Sequence, residues 1–237
     1  MADGIYVGMA AAAARAEQLD SIADNLANVE TPGFKASHPA FQSFLPRGAG
    51  GTSDKVATAV VETGASMARG TVVTTENPLD IIPQDDAFLT VRTSTGPAYT
   101  RNGRLTLSPE GFLISGGRMV IGATGNPVQV PPGTRPVINE RGGVEVEGVE
   151  VDRLALFNLQ GNVAHVGPSL YGPGPGGTVV AAPDLGVNVG QLEMGNSTPL
   201  DATVQMIGAQ RQFETAMQAI QTYRRLDDRV MEVGKVR

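Results

Sequence analysis

Both ends of this chain carry a helical apolar rhythm that nothing between them shares. Over residues 3–28, Ile5, Met9, Ala12, Ala16, Leu19, Ala23 and Leu26 recur at steps of four and three, the seam of a heptad repeat. Ile22 and Val29 widen the stripe, while Arg15, Glu17, Asp20 and Asp24 lie off it. Asn28 suits a C-terminal cap, and Pro32-Gly33 stops the helix. At the other end Thr198 suits an N-cap, Pro199 the first helical position, and Asp201 the positive end of the dipole. Ala202, Met206, Ala209, Phe213, Ala216, Ile220, Tyr223 and Val230 then keep the same spacing, with Met217 beside the stripe and only Asp227 breaking the seam. Arg224, Arg225, Arg229 and Lys235 gather toward the C-terminus, where a helix dipole favours cations.

The middle has a different period. Phe88 to Val91, Ala98 to Thr100, Leu105 to Leu107, Phe112 to Ile114, Met119 to Ile121 and Val128 to Val130 are short β-type runs. Gly96-Pro97, Asn102-Gly103, Pro109-Glu110-Gly111, Gly116-Gly117 and Gly125-Asn126 separate them, the spacing of an all-β domain. Asn102-Gly103 is the clearest hairpin turn, since both residues tolerate positive φ. Leu154 to Leu159, Val163 to Val166 and Val179 to Ala181 add later strands, and Gly48 to Ser53 reads as a loop. The 30 glycines and 16 prolines are dispersed as punctuation, which favours many short strands over long helices.

A helix with a long apolar seam needs burial to be stable, and neither helix has a partner near it in sequence. Pairing with each other is the economical solution. Seam alanines permit close approach, and residues 1–35 are net acidic where 201–237 are net basic. The expected fold is therefore mixed α+β. Residues 1–35 and 198–237 form one coiled-coil-like helical assembly domain. Residues 36–75 form an extended connecting segment, and 76–197 a β-rich domain of short antiparallel strands.

Enzyme chemistry finds little support. Cysteine is absent, which removes disulfides, thiolate metal sites and cysteine nucleophiles together. The two histidines, His38 and His165, lie beside no Ser or Asp pattern of a triad. Gly172-Pro173-Gly174-Pro175-Gly176-Gly177 spells the dinucleotide fingerprint, but two prolines remove backbone donors and a strand follows where a helix is required. It reads as a surface loop. Asp80, Asp85 and Asp86 form the densest acidic cluster and match no calcium loop. Asn196-Ser197-Thr198 fits a glycosylation acceptor, though helix capping explains it more simply. No catalytic residue, cofactor or metal is expected. A net charge of −6 argues against nucleic acid, and no run of about 20 apolar residues is present to span a bilayer. Asp3 stands where a signal peptide would carry a basic residue.

Three stretches resemble one family, the rod and hook proteins of the bacterial flagellar axis. They are Asn25-Leu26-Ala27-Asn28-Val29-Glu30-Thr31-Pro32-Gly33-Phe34-Lys35; Asn77-Pro78-Leu79-Asp80-Ile81 with Tyr99-Thr100-Arg101-Asn102-Gly103; and Gly190-Gln191-Leu192-Glu193 leading to Arg211-Gln212-Phe213-Glu214. Within that family, the short length and the opening Gly4-Ile5-Tyr6 resemble the proximal-rod subunits more than the longer distal-rod and hook subunits. Pro83-Gln84-Asp85-Asp86-Ala87-Phe88 departs from the glycine-rich approach usual there.

The resemblance implies a structural subunit of the periplasmic basal-body rod that transmits torque. It also implies self-association, contact with proximal and distal rod subunits, and passage through the flagellar type III export apparatus without a cleaved leader. Interface residues would be the seam positions Ile5, Met9, Ala12, Ala16, Leu19, Ile22, Leu26, Met206, Phe213, Met217, Ile220 and Tyr223. Asn25, Asn28, Thr31, Pro32, Gly33 and Phe34 would link the helical layer to the β-layer, with Phe34 packing on the β-body or on a neighbour. A distal-rod subunit, or a secreted β-rich binding protein that only dimerises, is the alternative.

Overall fold

The computed structural model describes the backbone of residues 2–44 and 57–234, and side-chain surroundings for 8–38, 64–226 and Arg229. The expected loop at Gly48 to Ser53 lies outside the described residues, as do the side chain of Ile5 and the whole of Lys235. The fold is mixed α+β, with two helices and many short antiparallel strands. In chain order these are α1 (Ala2–Ala27), β1 (Ser37–Phe44), β2 (Ala57–Ala65), β3 (Val72–Thr74), β4 (Ile81–Pro83), β5 (Ala87–Thr93), β6 (Gly96–Thr100), β7 (Leu105–Leu107), β8 (Leu113–Ser115) and β9 (Arg118–Met119). There follow β10 (Val137–Ile138), β11 (Gly143–Val146), β12 (Val149–Arg153), β13 (Leu156–Gln160), β14 (Val163–Gly167), β15 (Leu170–Pro173), β16 (Thr178–Ala181), β17 (Val187–Val189), β18 (Gln191–Glu193) and α2 (Pro199–Gly234). The chain divides into two compact units. One comprises Met1–Leu26, Ser37–Thr63 and Pro199–Arg237; the other comprises Ala27–Ala36 and Gly64–Thr198.

The first unit contains α1, α2 and the two-stranded sheet β1-β2. Alanine-rich sequence with no β-branched run favours α1. Its buried side chains include Ala12, Ala14, Ser21, Ile22 and Asn25. Ser21 and Asn25 are buried because they serve β1. Asn25 Oδ1 accepts the Ser37 N–H at 2.8 Å, Asn25 Nδ2 donates to Ser37 O at 2.9 Å, and Ser21 Oγ donates to the same carbonyl. α2 begins at Pro199 and runs to Gly234, so Arg224, Arg225 and Arg229 stand before its last turn. The expected dipole benefit at the C-terminus is therefore small, since that field fades within one turn. A Cβ at Gly8 would lie 2.8 Å from Ile220 Cγ1, so a larger residue would force Ile220 to shift where α1 comes against this residue of α2.

The second unit is β-rich. Its largest sheet has the order β14-β15-β6-β5-β13-β16, with smaller sheets β7-β8-β9, β10-β11-β12, β4-β17 and β3-β18. Alternation along β5 sorts the interior into two clusters. Leu89 and Val91 join Ile81, Leu105, Leu113, Val120, Val128, Ile138, Val144 and Leu156 in the main core, while Phe88 faces the other way with Val163 and Tyr171.

Two local expectations are corrected. Asn102-Gly103 is not a hairpin turn: β6 pairs with β5 and β15, and β7 pairs with β8. Gly103 is needed for close approach instead. A Cβ there would collide with Ile81 O, and the Gly103 carbonyl accepts the Ile81 N–H at 3.0 Å. Leu170 to Pro173 form β15, so the start of the glycine-proline run is strand, not loop; only the segment from Gly174 turns back.

Candidate functional site

The segment leaving α1 is locked into the β-rich unit. Phe34 N–H donates to Thr31 O at 3.2 Å across Pro32-Gly33, and Gly33 has φ +69°, a turn that places glycine where positive φ is required. Thr31 Oγ1 reaches Asn28 Oδ1 at 3.3 Å before the turn. Pro32, Gly33, Phe34, Lys35 and Ala36 are then all buried. Gly33 N–H donates to Glu193 O at 2.7 Å and Asn196 N–H to Phe34 O at 3.3 Å, so the exit from α1 runs beside the approach to α2. Asn196 binds the pair from the side. Its Oδ1 accepts the Ala36 N–H at 2.6 Å and its Nδ2 donates to Ser66 O at 2.8 Å.

Aromatic rings receive this segment. Phe34 lies 6.0 Å from the His165 ring, which lies 5.0 Å from Tyr171, which in turn lies 5.6 Å from Phe88. Tyr171 Oη accepts the Lys35 N–H at 2.6 Å and donates to Gly33 O at 3.2 Å. Burial pushes the Tyr171 phenol well up, so it stays a neutral donor. His165 belongs to this stack and is packed there as an aromatic.

Beneath the rings sits a buried ion triad. Lys35 Nζ donates to Glu193 Oε1 at 2.5 Å and to Ala68 O at 2.7 Å. Arg101 Nε donates to Glu193 Oε2 at 2.8 Å, and its Nη groups reach the carbonyls of Ala87, Asp85 and Pro83. Gly70 N–H adds a donor to Glu193 Oε1 at 3.0 Å. Asp85 adopts φ +49°, which helps to set the carbonyl that Arg101 uses. Burial opposes the Glu193 charge, but Arg101, Lys35 and Gly70 outweigh it and hold the carboxyl below its ordinary value. Burial pulls the Lys35 ammonium down as well, against the pull of Glu193. Two cations face one carboxylate, so the ionised Glu193 is the state the geometry dictates.

Lys35, Arg101 and Glu193 escape sequence reasoning as individual sites, although each lies in one of the three stretches that carry the family resemblance. Asn25 is buried against Ser37. Among the seam residues, Ala12, Ile22 and Ile220 are buried, and Ala16, Leu19, Leu26, Met206 and Phe213 are half-buried. Met9, Met217 and Tyr223 are exposed. Asp80 is buried and its backbone serves turns, whereas Asp85 and Asp86 are exposed. Among the described residues no group of three His, Asp or Glu could hold a metal. No described helix is long and apolar enough to cross a membrane. The arrangement is a buried polar network that holds distant chain segments together.

Known proteins are similar to this chain. The family described as "Flagella basal body rod protein" matches residues 5–35, and that described as "Flagellar basal body rod FlgEFG protein C-terminal" matches residues 189–233. The flagellar basal-body rod protein FlgF of Salmonella typhimurium is 34% identical over 93% of both chains. FlgF of Mesorhizobium japonicum is 32% identical over 99% of both, and FlgG of Bacillus subtilis 28% identical over 94% of this chain and 95% of its own. Similarity over nearly the whole length and matched families at both ends agree: the chain belongs to the bacterial flagellar basal-body rod proteins.

Proposed function

We propose that this chain, a structural subunit of the basal-body rod, builds the proximal rod by polymerising through its terminal helices. The observation that carries this reading is the double-sided character of α2. Ala202, Ala209 and Ile220 are buried along one face. Leu200, Val204 and Ile207, spaced four and three apart, are 74%, 62% and 47% exposed. Leu200 and Ala202 are two positions apart, about 200° around a helix, so the exposed apolar stripe lies opposite the buried one. A helix with a covered stripe and an open one has a face left for other subunits.

The covered stripe supports a coiled-coil-like pairing of α1 with α2, with Gly8 admitting Ile220. The open stripe supports self-association and contact with neighbouring rod subunits. Ordering long helices costs about 1–2 kcal/mol per residue in backbone entropy, so helices lacking their neighbours are marginal and their folding couples to polymerisation. A chain that orders its ends only on assembly also suits export through a narrow type III channel. The role is mechanical, with torque passing from the helical layer into the β-layer through the segment Thr31 to Ala36, and it involves no turnover.

Electron cryotomography of basal bodies from a strain lacking this gene tests the reading. An axis that stops inside the periplasm at the proximal segment is expected, with non-motile cells. A longer stub moves the chain to the distal rod, and complete rods and hooks remove it from the axis.

A further inference from the structure

β14 and β16 are the outer strands of the six-stranded sheet, and among the described residues each pairs on one side only. An open edge presents unpaired N–H and C=O groups, which proteins ordinarily guard with charge, proline or a bulge. β16, Thr178-Val179-Val180-Ala181, has none of these within it. Its register against β13 is unbroken, and Val180 is 43% exposed. β14 carries no Lys, Arg, Asp or Glu, and its Val166 is 58% exposed. One bulge lies between His165 and Gly167.

Every neighbouring pair in this sheet is antiparallel. Across six alternating strands the first and last therefore run in opposite directions. Setting β16 of one molecule beside β14 of the next continues the alternation by repetition of a single placement. Such a joint is heterologous, so it can repeat without closing on itself. The bulge adds right-handed twist, which turns each copy relative to the last, as a curved wall requires.

We propose that β16 of one copy pairs edge to edge with β14 of a second copy, extending the sheet across neighbouring subunits. The proposal rests on the rod reading above. Four residues of β16 meet three regular residues of β14, Val163 to His165. So short a joint is too weak to hold free molecules, and it forms once helix packing raises the effective concentration.

The absence of cysteine makes introduced thiols unambiguous reporters. Basal bodies would be isolated from cells carrying the full chain with Val166→Cys and Val180→Cys and treated with a short bis-maleimide. Dimers and longer ladders of this chain are expected, with neither single-cysteine variant cross-linking. Rods that contain the chain but give no ladder overturn the joint. Dimers from Val180→Cys alone overturn it in favour of two-fold edge pairing. Val180→Lys places a charge on the edge at an exposed site. It should leave thermal unfolding of the purified chain unchanged and reduce complete rods several-fold; normal rods with Val180→Lys overturn the proposal. Absence of the chain from basal bodies overturns the rod reading, and the joint with it.

Discussion

Lys35 Nζ and Glu193 Oε1 lie 2.5 Å apart with both side chains 2% exposed, although 158 residues separate them. Arg101 holds the other carboxylate oxygen, so three distant segments converge on Glu193. The segment after α1 and the segment before α2 are thereby fixed at one place in the β-rich unit.

Glu193→Gln keeps the shape and removes the charge, which leaves Lys35 and Arg101 as buried cations facing each other. Breaking a buried pair from one side typically costs about 3–5 kcal/mol. Lys35→Met leaves Arg101 on the carboxylate and should cost less, about 1–3 kcal/mol. Urea unfolding followed through the β-rich unit measures both, and the reverse order would show that Glu193 is not the shared partner.

Acid should weaken the same joint. Burial raises the Glu193 carboxyl, but Arg101 and the hydrogen bonds from Lys35 and Gly70 outweigh it and hold the folded value below the ordinary 4.5. The folded chain therefore binds this proton more weakly than the unfolded chain. Its contribution is complete above 4.5 and is lost as pH falls through the lower folded value. Melting temperatures of the native chain should fall through that window, with a smaller slope in Glu193→Gln.

Gly33 and Gly96 both adopt positive φ, +69° and +131°, but their surroundings differ. A Cβ at Gly33 would collide with the Arg101 backbone, whereas nothing lies within 4 Å at Gly96. Gly33→Ala should destabilise by several kcal/mol, since it combines strain with collision, and Gly96→Ala by about 1–3 kcal/mol from strain alone. Equal losses in calorimetry would mean that the close approach to Arg101 does not matter.

Replacing Leu200, Val204 and Ile207 together by Ser tests the open stripe of α2. These side chains are exposed, so unfolding of the purified chain should change by less than about 1 kcal/mol. Rod completion and swimming should nevertheless fail. Motile cells with full-length rods would exclude the stripe as an assembly face.

Periodicity located both helices because an amphipathic seam is a local signal: α1 covers Ala2–Ala27 against an expected 3–28. Strands with β-branched or aromatic runs, such as β5, β14 and β16, were equally legible. β17 and β18 have three residues each and exist through partners more than a hundred positions away in β4 and β3. Gly103 looked like a turn residue because glycine serves both turns and close approaches, and only the position of Ile81 tells them apart. Lys35 was invisible as a site for a related reason. Lysine is almost never fully buried unless paired, and its partners come from residues 101 and 193.

Joining Lys35 to Glu193 also closes a long loop of chain at its base. The entropy of closing a flexible loop grows only with the logarithm of its length, about 0.6 kcal/mol for each doubling. Residues inserted at the exposed turns within that loop would therefore add little to the cost of closure. The base of the loop is the expensive place to alter and its interior the cheap one, so a subunit of this design can lengthen or remodel the turns of its β-rich unit while Lys35 and Glu193 stay joined.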